Sequence, residues 1–582
     1  LVEISMQCIL STEVSSASTA KTEILNDLVV TLSSSQCSDL VVNTILNSAM
    51  STLNKEIVNV DDLTDDNESW VKLIRCSRFL LMLSFQNRID VVNNVPSIFF
   101  VISLMVGRGS YFVRSTVHSL TLNVIHSLGT ALDFTRDQMK LIEGHLAELN
   151  TPQFRNMFLG NEVDTTNPFV GHKSISKEKT YVPTMNDIQA LGNYMMDVMK
   201  TCSLVNGFIQ RDWEAQYSEL YKPSAARNQI MLPRIVTIYG VISRSIRDHD
   251  QNLPFLYSYL LEAFSGYQRS KSDMATAVLL YFTQYCNKIS SNDPALSKFV
   301  LVPLMLLPYC DMNLYPIVLN LLEIALVSVS QSHQFNEGAS FDEYFSRYVR
   351  DARSEPFIQR FEKTIGISFE THFSFALSSF LIKGLTSNVT IRERSLRFLS
   401  TLLGISCQIS NIKMYNKRED SMSEILGFAT LLAPFNFDDT LSTIGIDKKQ
   451  FFSEETFCHN LSGLLFARLL LQLVQNMDSE ADRVSVYRTL QHVYKNIPDV
   501  FEGYQSDITP RVVQHYTFAS RNGSSSILPE TILALINTIM SVNGFENTGL
   551  SSMNSNNDAL KDILFLGVTR LGSFRGLSQQ SA

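Results

Sequence analysis

Few residues of this 582-residue chain have types and spacings that could do chemistry. His118 and His126 stand eight positions apart in an apolar stretch of helical character. Eight residues make about two turns, which predicts imidazoles on one side of a helix but ~12 Å apart along its axis. One metal ion holds its nitrogen ligands at ~2 Å, so this pair cannot share one. Buried or half-buried hydrogen-bonding histidines are expected instead. Cys458-His459 has no further ligand beside it. The run Asp61-Asp62-Leu63-Thr64-Asp65-Asp66 lacks the glycine and the distal glutamate of a calcium loop. It reads as a solvated cap ahead of a helix that begins near Trp70. His172, Lys173, Lys177 and Lys179 sit close together in a polar stretch; they offer charge to a partner or lipid phosphate but are expected in a solvated loop.

The phosphate-binding and nucleophile motifs are missing. The sequence contains no G-x-x-x-x-G-K-[ST] loop, no G-x-S-x-G elbow and no H-E-x-x-H helix. Gly107-Arg108-Gly109 has neither the preceding strand nor the third glycine of a dinucleotide fingerprint, and reads as a turn between helices. We assign no catalytic, cofactor-binding or metal-ligating residue, and expect no cofactor.

The elements that would position any site are helices. From Trp70 to Thr130 three apolar segments of helical length are broken by short polar turns, and Gly107-Arg108-Gly109-Ser110 is the breaker expected between two packed antiparallel helices. In the third segment Val117, Leu120, Val124, Ile125 and Leu128 fall on one helical stripe. Ile317, Leu321, Ile324 and Ala325 mark another face, and Ile391, Phe398, Leu399 and Leu402 a third. Pro233 fits the first turn of a helix, where its missing N–H costs nothing. Further helices are expected over 22–32, 39–53, 138–149, 185–208, 213–221, 461–477, 482–494 and 529–542. Phe341, Tyr344, Phe345 and Tyr348 also stand at helical spacing.

Strict alternation with hairpin turns does not recur, so no sheet is predicted. Helices of ~10–18 residues at a pair period of about 40–47 are the pattern of HEAT or armadillo repeats. The expected fold is therefore all-α, a HEAT/ARM-like α-solenoid of stacked antiparallel helix pairs. It divides into helical repeats over 1–160, a polar loop or linker at 161–183, and a second helical block at 184–409. A charged connector at 410–425, a third block at 426–543, and a mobile loop and C-terminal segment at 544–582 follow.

Size and charge bound the function. A chain this long exceeds the ~250–300 residues that one core serves. Its net charge of −9 gives no general attraction to phosphate backbones, which disfavours nucleic acid as a partner. Eight scattered cysteines without a C-x-x-C pair read as buried free thiols of a reducing compartment. No apolar run reaches the ~18 residues of a membrane span. The chain opens on Leu1 with no signal core, and is expected to be a piece of a longer protein.

A resemblance adds a function to this outline. RFLLMLSFQNRIDVV, from Arg78 to Val92, and RSTVHSLTLNVIHSL, from Arg114 to Leu128, resemble the C-terminal helical repeat region of neurofibromin and its fungal IRA-type relatives, large proteins that accelerate GTP hydrolysis by Ras. Leu232 to Arg244 resembles a further segment of that region, as does MNLYPIVLNLLEIAL, from Met312 to Leu326, and so does Phe369 to Leu385. The resemblance implies a non-catalytic scaffold and dimerisation segment of a parent that negatively regulates Ras signalling. It implies as partners a second copy of the chain and other domains of the parent, with Ras reached indirectly, in a cytoplasmic setting where peripheral membrane contact stays open. The family's catalysis rests on an arginine offered in trans to the Ras nucleotide. Leu396-Arg397-Phe398-Leu399 is superficially similar to the signature of the domain that carries it, but lacks the following proline and the upstream finger loop. Arg397 is thus expected on a solenoid surface. An autonomous HEAT-type adaptor that binds another protein is the alternative reading.

Overall fold

The computed structural model of the chain describes residues 2–11, 19–34, 37–54, 68–85, 89–160, 182–222, 228, 230–243, 252–265, 269–332, 345, 350, 356, 359–360, 373–414, 426–435, 460–501, 505–521 and 527–542. These residues hold 22 helices and no strand, so the fold is all-α. The chain divides into two compact units, 1–289 and 290–582. The division falls within the range expected as a second helical block.

The first unit contains α1 (Val2–Ser11), α2 (Thr19–Ser34), α3 (Ser38–Leu53), α4 (Glu68–Phe85), α5 (Val91–Met105), α6 (Tyr111–Ala131), α7 (Arg136–Leu149) and α8 (Pro152–Leu159). It continues through α9 (Met185–Ser203), α10 (Gly207–Leu220), α11 (Leu232–Ile242), α12 (Leu253–Ser265) and α13 (Arg269–Cys286). Most helices pack mainly on those one and two places along the chain, as α3 does on α4 and α5, and α11 on α9 and α13, while α5 also packs on α10. Direction follows from side-chain pairs. Arg78 lies over the Phe112 ring and Ser84 accepts from Asn123, so α4 and α6 ascend together. α5, joined to both by short connections and packed on α6, runs the other way. Alternation of this kind is a solenoid-like stack of antiparallel pairs.

The second unit contains α14 (Leu296–Leu306), α15 (Tyr315–Ser330), α16 (Phe373–Leu385), α17 (Val389–Met414), α18 (Asn460–Gln475) and α19 (Glu480–Asn496). A 3-10 turn (Pro498–Phe501), α20 (Gln505–Arg521) and α21 (Ile527–Val542) complete its described elements. Arg394 reaches Asn320 while Thr401 reaches Glu323, so α15 and α17 also ascend together. Arg394 pairs with Glu323 as well, and Arg392 holds Asp482 at 2.6 Å, tying α17 to α19.

Local sequence explains where helices start and how they survive interruptions. Thr135 and Gln138 form a capping box at α7, Thr184 and Asp187 another at α9, and each satisfies backbone donors that a helix start leaves open. Asp90 caps α5 and Ser479 caps α19. Pro152 and Pro233 occupy first turns, as expected of Pro233. Pro96 stands inside α5, where it cannot donate to the carbonyl of Val92 four residues back. The Trp213 indole N–H of α10 donates to that carbonyl at 2.8 Å, so the broken helical bond is replaced by a tertiary one.

The stripe Val117, Leu120, Val124, Ile125 and Leu128 is buried throughout, and so are Ile391, Phe398, Leu399 and Leu402. Four expectations need correction. The third face is rotated: Leu321 and Ala325 are buried, but Ile317 and Ile324 are only half-buried, and Val318, Leu319, Leu322, Leu326 and Val329 complete the core side of α15. The helix expected over 185–208 ends at Ser203, and α10 starts at Gly207 behind an Asn206 cap. α8 forms just beyond the helix expected over 138–149, where no further helix was singled out, because proline is a good first-turn residue and Phe154, Met157 and Phe158 bury together. The backbone stays helical to Met414, past the start expected for a connector at 410. Of the aromatic run 341–348 only Phe345 is described, and it is buried. The acidic run 61–66, residues 161–181, the connector from 415 to 425 and the end from 543 lie outside the described residues.

Candidate functional site

His118 and His126 do not share a side of α6. His118 is buried, its ring edge-on to Phe158 with centroids 5.2 Å apart, whereas His126 is exposed. Eight steps of ~100° leave two residues about 80° apart around a helix, enough to separate core from solvent at the border of the apolar face. Arg397 is exposed on α17, as expected. Cys76, Cys202, Cys286 and Cys310 are buried free thiols, while Cys8 is exposed and Cys37 intermediate. Burial pushes the Cys76 thiol up to about 11 and those of Cys202 and Cys310 to about 12, so these sulfurs stay protonated and are poor nucleophiles. Among the described residues no group of three His, Cys, Asp or Glu side chains is placed to hold a metal ion, and no helix is long and apolar enough to cross a membrane.

The most elaborate polar structure surrounds the turn from Val106 to Ser110. Gly107 and Gly109 have φ of 63° and 76°, the left-handed region that favours glycine. A Cβ on Gly107 would lie 2.3 Å from the Pro183 ring, and one on Gly109 would lie 2.7 Å from the Trp70 indole. Three arginines hold this turn. Arg234, buried in α11, donates through one terminal nitrogen to the carbonyls of Ser103, Leu104 and Val106 at 3.3, 3.0 and 2.8 Å. Arg114 donates to Gly109 and to Leu159 at the end of α8, both at 3.0 Å. Arg108 donates to the Ile230 carbonyl. Burial, and then the nearby Arg108, pull the Arg234 pKa well down, with Asp273 acting the other way. Arg234 at the close of α5 and Arg114 at the close of α8 face carbonyls at helix C-termini, the negative pole of the helix dipole, whereas the Gly109 and Ile230 carbonyls belong to the turns that precede α6 and α11. The cluster therefore fixes α5, α6, α8 and α11 against one another.

Open surface chemistry lies elsewhere, in a groove of about 430 Å³ between α4 and α6, with Asn26 of α2 on its flank. Arg78, Met82, Phe85, Phe112, Ser115 and Ser119 line it. The Arg78 guanidinium carbon sits 5.1 Å from the Phe112 centroid, a cation–π distance. Phe85 and Phe112 are 68% and 54% exposed, large values for phenylalanine. Neither the histidines nor Arg397, the residues singled out by type and spacing, is found at this groove.

The chain matches no protein-family model. Its functional reading therefore rests on the residues and their arrangement.

Three histidines make the fold sensitive to acid. Burial lowers the pKa of His118, His145 and His515 from the ordinary 6.5. For His145, in contact with Thr201 and Tyr194, Glu148 and Asp197 act in the opposite direction; for His515, bonded to Tyr487 and Gln475, Arg511 adds to the lowering. A histidine whose folded pKa lies below its unfolded value contributes stability that is complete above the unfolded pKa and is lost as pH falls through the interval down to the folded pKa. Thermal midpoints are thus expected to fall as pH drops below about 6.5. His515→Gln, which keeps a neutral hydrogen-bonding side chain, should flatten part of that fall; an unchanged acid slope in this variant would contradict the role given to His515.

Proposed function

We propose that the chain is a non-catalytic scaffold and dimerisation segment of a neurofibromin or IRA-type Ras GTPase-activating protein, and that its parent negatively regulates Ras signalling. The observation that carries this reading is where the resembling residues stand. Arg78–Val92 covers the end of α4 and the start of α5, Arg114–Leu128 lies within α6, and Met312–Leu326 spans the start of α15. Their apolar positions, among them Phe79, Leu80, Leu83, Leu120, Val124, Leu319 and Leu322, are buried core. Resemblance at core positions of stacked helices supports shared architecture, and a repeat stack serves a scaffold because it offers surface without needing a pocket. In this reading the chain acts in the cytoplasm, meets a second copy and other domains of its parent, and reaches Ras only through a catalytic domain elsewhere in that parent.

Light scattering tests it. The expected result is a molar mass that rises with concentration toward twice 65.7 kDa, or a complex with N-terminal parts of the parent. A mass fixed at the monomer together with no affinity for those parts would remove the scaffold reading. The groove between α4 and α6 favours a second reading, an autonomous HEAT-type adaptor, since it offers a binding surface that needs neither a second copy nor a parent.

A further inference from the structure

The two helices that form the α4–α6 groove are locally basic. Lys72, Arg75 and Arg78 follow one another at intervals of three along α4, so they form a basic row on one side of the helix. No acidic residue follows Glu68 in α4, and α6 contains none. The two helices together carry four Lys or Arg side chains against one Glu, in a chain whose net charge is −9. Arg75 is engaged, donating to the Leu10 carbonyl at 2.8 Å and to Ile9. Arg78 is held differently: it stacks on Phe112 and makes no ion pair among the described residues. Beside it Met82, Phe85 and Phe112 offer an apolar wall, while Ser115 and Ser119, one helical turn apart on α6, present hydroxyls.

We infer that this groove docks a short acidic peptide segment of another protein. A carboxylate of the peptide pairs with the Arg78 guanidinium, which the Phe112 ring pre-orients, and an aromatic or aliphatic side chain inserts between Met82, Phe85 and Phe112. The seryl hydroxyls and Asn26 are in reach of the peptide backbone. Helices that receive peptides in this way supply apolar anchors and a charge that sets register. Other occupants fit less well. A symmetric contact with a second copy would set the same basic surface on itself, because a two-fold interface uses one patch twice. Anionic lipid is recognised by clusters of ~4–8 basic residues, and this groove has one unengaged arginine with a lysine two turns away. The inference is independent of the Ras-related reading above.

A fluorescein-labelled synthetic peptide that alternates Asp with Phe and Leu, and a matched peptide with Lys for each Asp, test this by anisotropy on the full chain. The acidic peptide is expected to bind saturably and the lysine peptide at least ~10-fold more weakly. Arg78→Glu should weaken the acidic peptide by ~10-fold or more, and Ser119→Trp should block it by filling the groove, each with a thermal midpoint close to that of the parent chain. Equal binding of the two peptides, or full affinity in folded Arg78→Glu, overturns the inference. So does a fall in light-scattering mass of the chain alone on Arg78→Glu, which would make a second copy the occupant. Arg78-dependent sedimentation with phosphatidylserine vesicles in the absence of peptide binding would make it lipid.

Discussion

Replacing Arg234 by alanine is expected to destabilise the first unit by about 3–5 kcal/mol, although the residue is buried and lines no part of the α4–α6 groove. The reason is what its side chain faces. The guanidinium ends on the carbonyls of Ser103, Leu104 and Val106, at the close of α5, where a helix leaves its last acceptors without partners. Without Arg234 these acceptors stay in a buried setting that water does not readily enter. Each unsatisfied buried polar group costs about 1–3 kcal/mol, less than additively for neighbours. The emptied volume between α5 and α11 adds a cavity cost. The arginine is itself expensive to bury, which its lowered pKa expresses, so the loss does not exceed the usual range for breaking a buried charged contact. Lysine, with one ammonium in place of a planar fork, should recover only part. Urea unfolding followed by circular dichroism measures this, with Arg397→Ala as the exposed control, expected within about 0.5 kcal/mol of the parent. Equal midpoints for the Arg234 and Arg397 variants would contradict the role given to the turn.

The second large effect is expected in α6. Leu120 and Val124 are 1% and 0% exposed on the stripe that packs against α4 and α5. Leu120→Asp or Val124→Asp would bury a carboxylate with no cation arranged to meet it, and should cost several kcal/mol. His126→Asp places the same charge on the solvent side of the same helix and should leave stability nearly unchanged. The contrast is specific to the helical phase: if all three variants unfolded together, the register of α6 would be wrong.

These cases show which features a single sequence displays. Helical phase was legible because burial in a stacked helix depends on spacing alone, and the α6 stripe was read from that spacing. Where apolar residues surround a helix more fully, phase is ambiguous. In α15 ten of the sixteen residues are aliphatic and they surround the helix, so Ile317 and Ile324 could be mistaken for core while Val318 and Leu322 carry it. The breaker at Gly107–Ser110 was legible from its glycines. Its arginine clamp was not, because Arg234 lies 128 residues beyond Val106 and nothing local marks it as buried. Trp213, which donates to the Val92 carbonyl that Pro96 leaves without its helical partner, is hidden for the same reason. The groove was missed because Arg78, Met82 and Phe85 read as ordinary members of α4; only the approach of Phe112 and Ser115 from a parallel helix makes a surface of them.

In the proposed reading this chain supplies architecture and surface to a Ras regulator, and no chemistry. Single-turnover hydrolysis of GTP by Ras, with and without residues 1–582 in excess, tests it most directly. The account predicts the same rate in both, because the exposed Arg397 lacks the following proline and the upstream finger loop of the catalytic signature and no other residue is assigned that role. Acceleration by the chain alone, lost in Arg397→Ala, would contradict it.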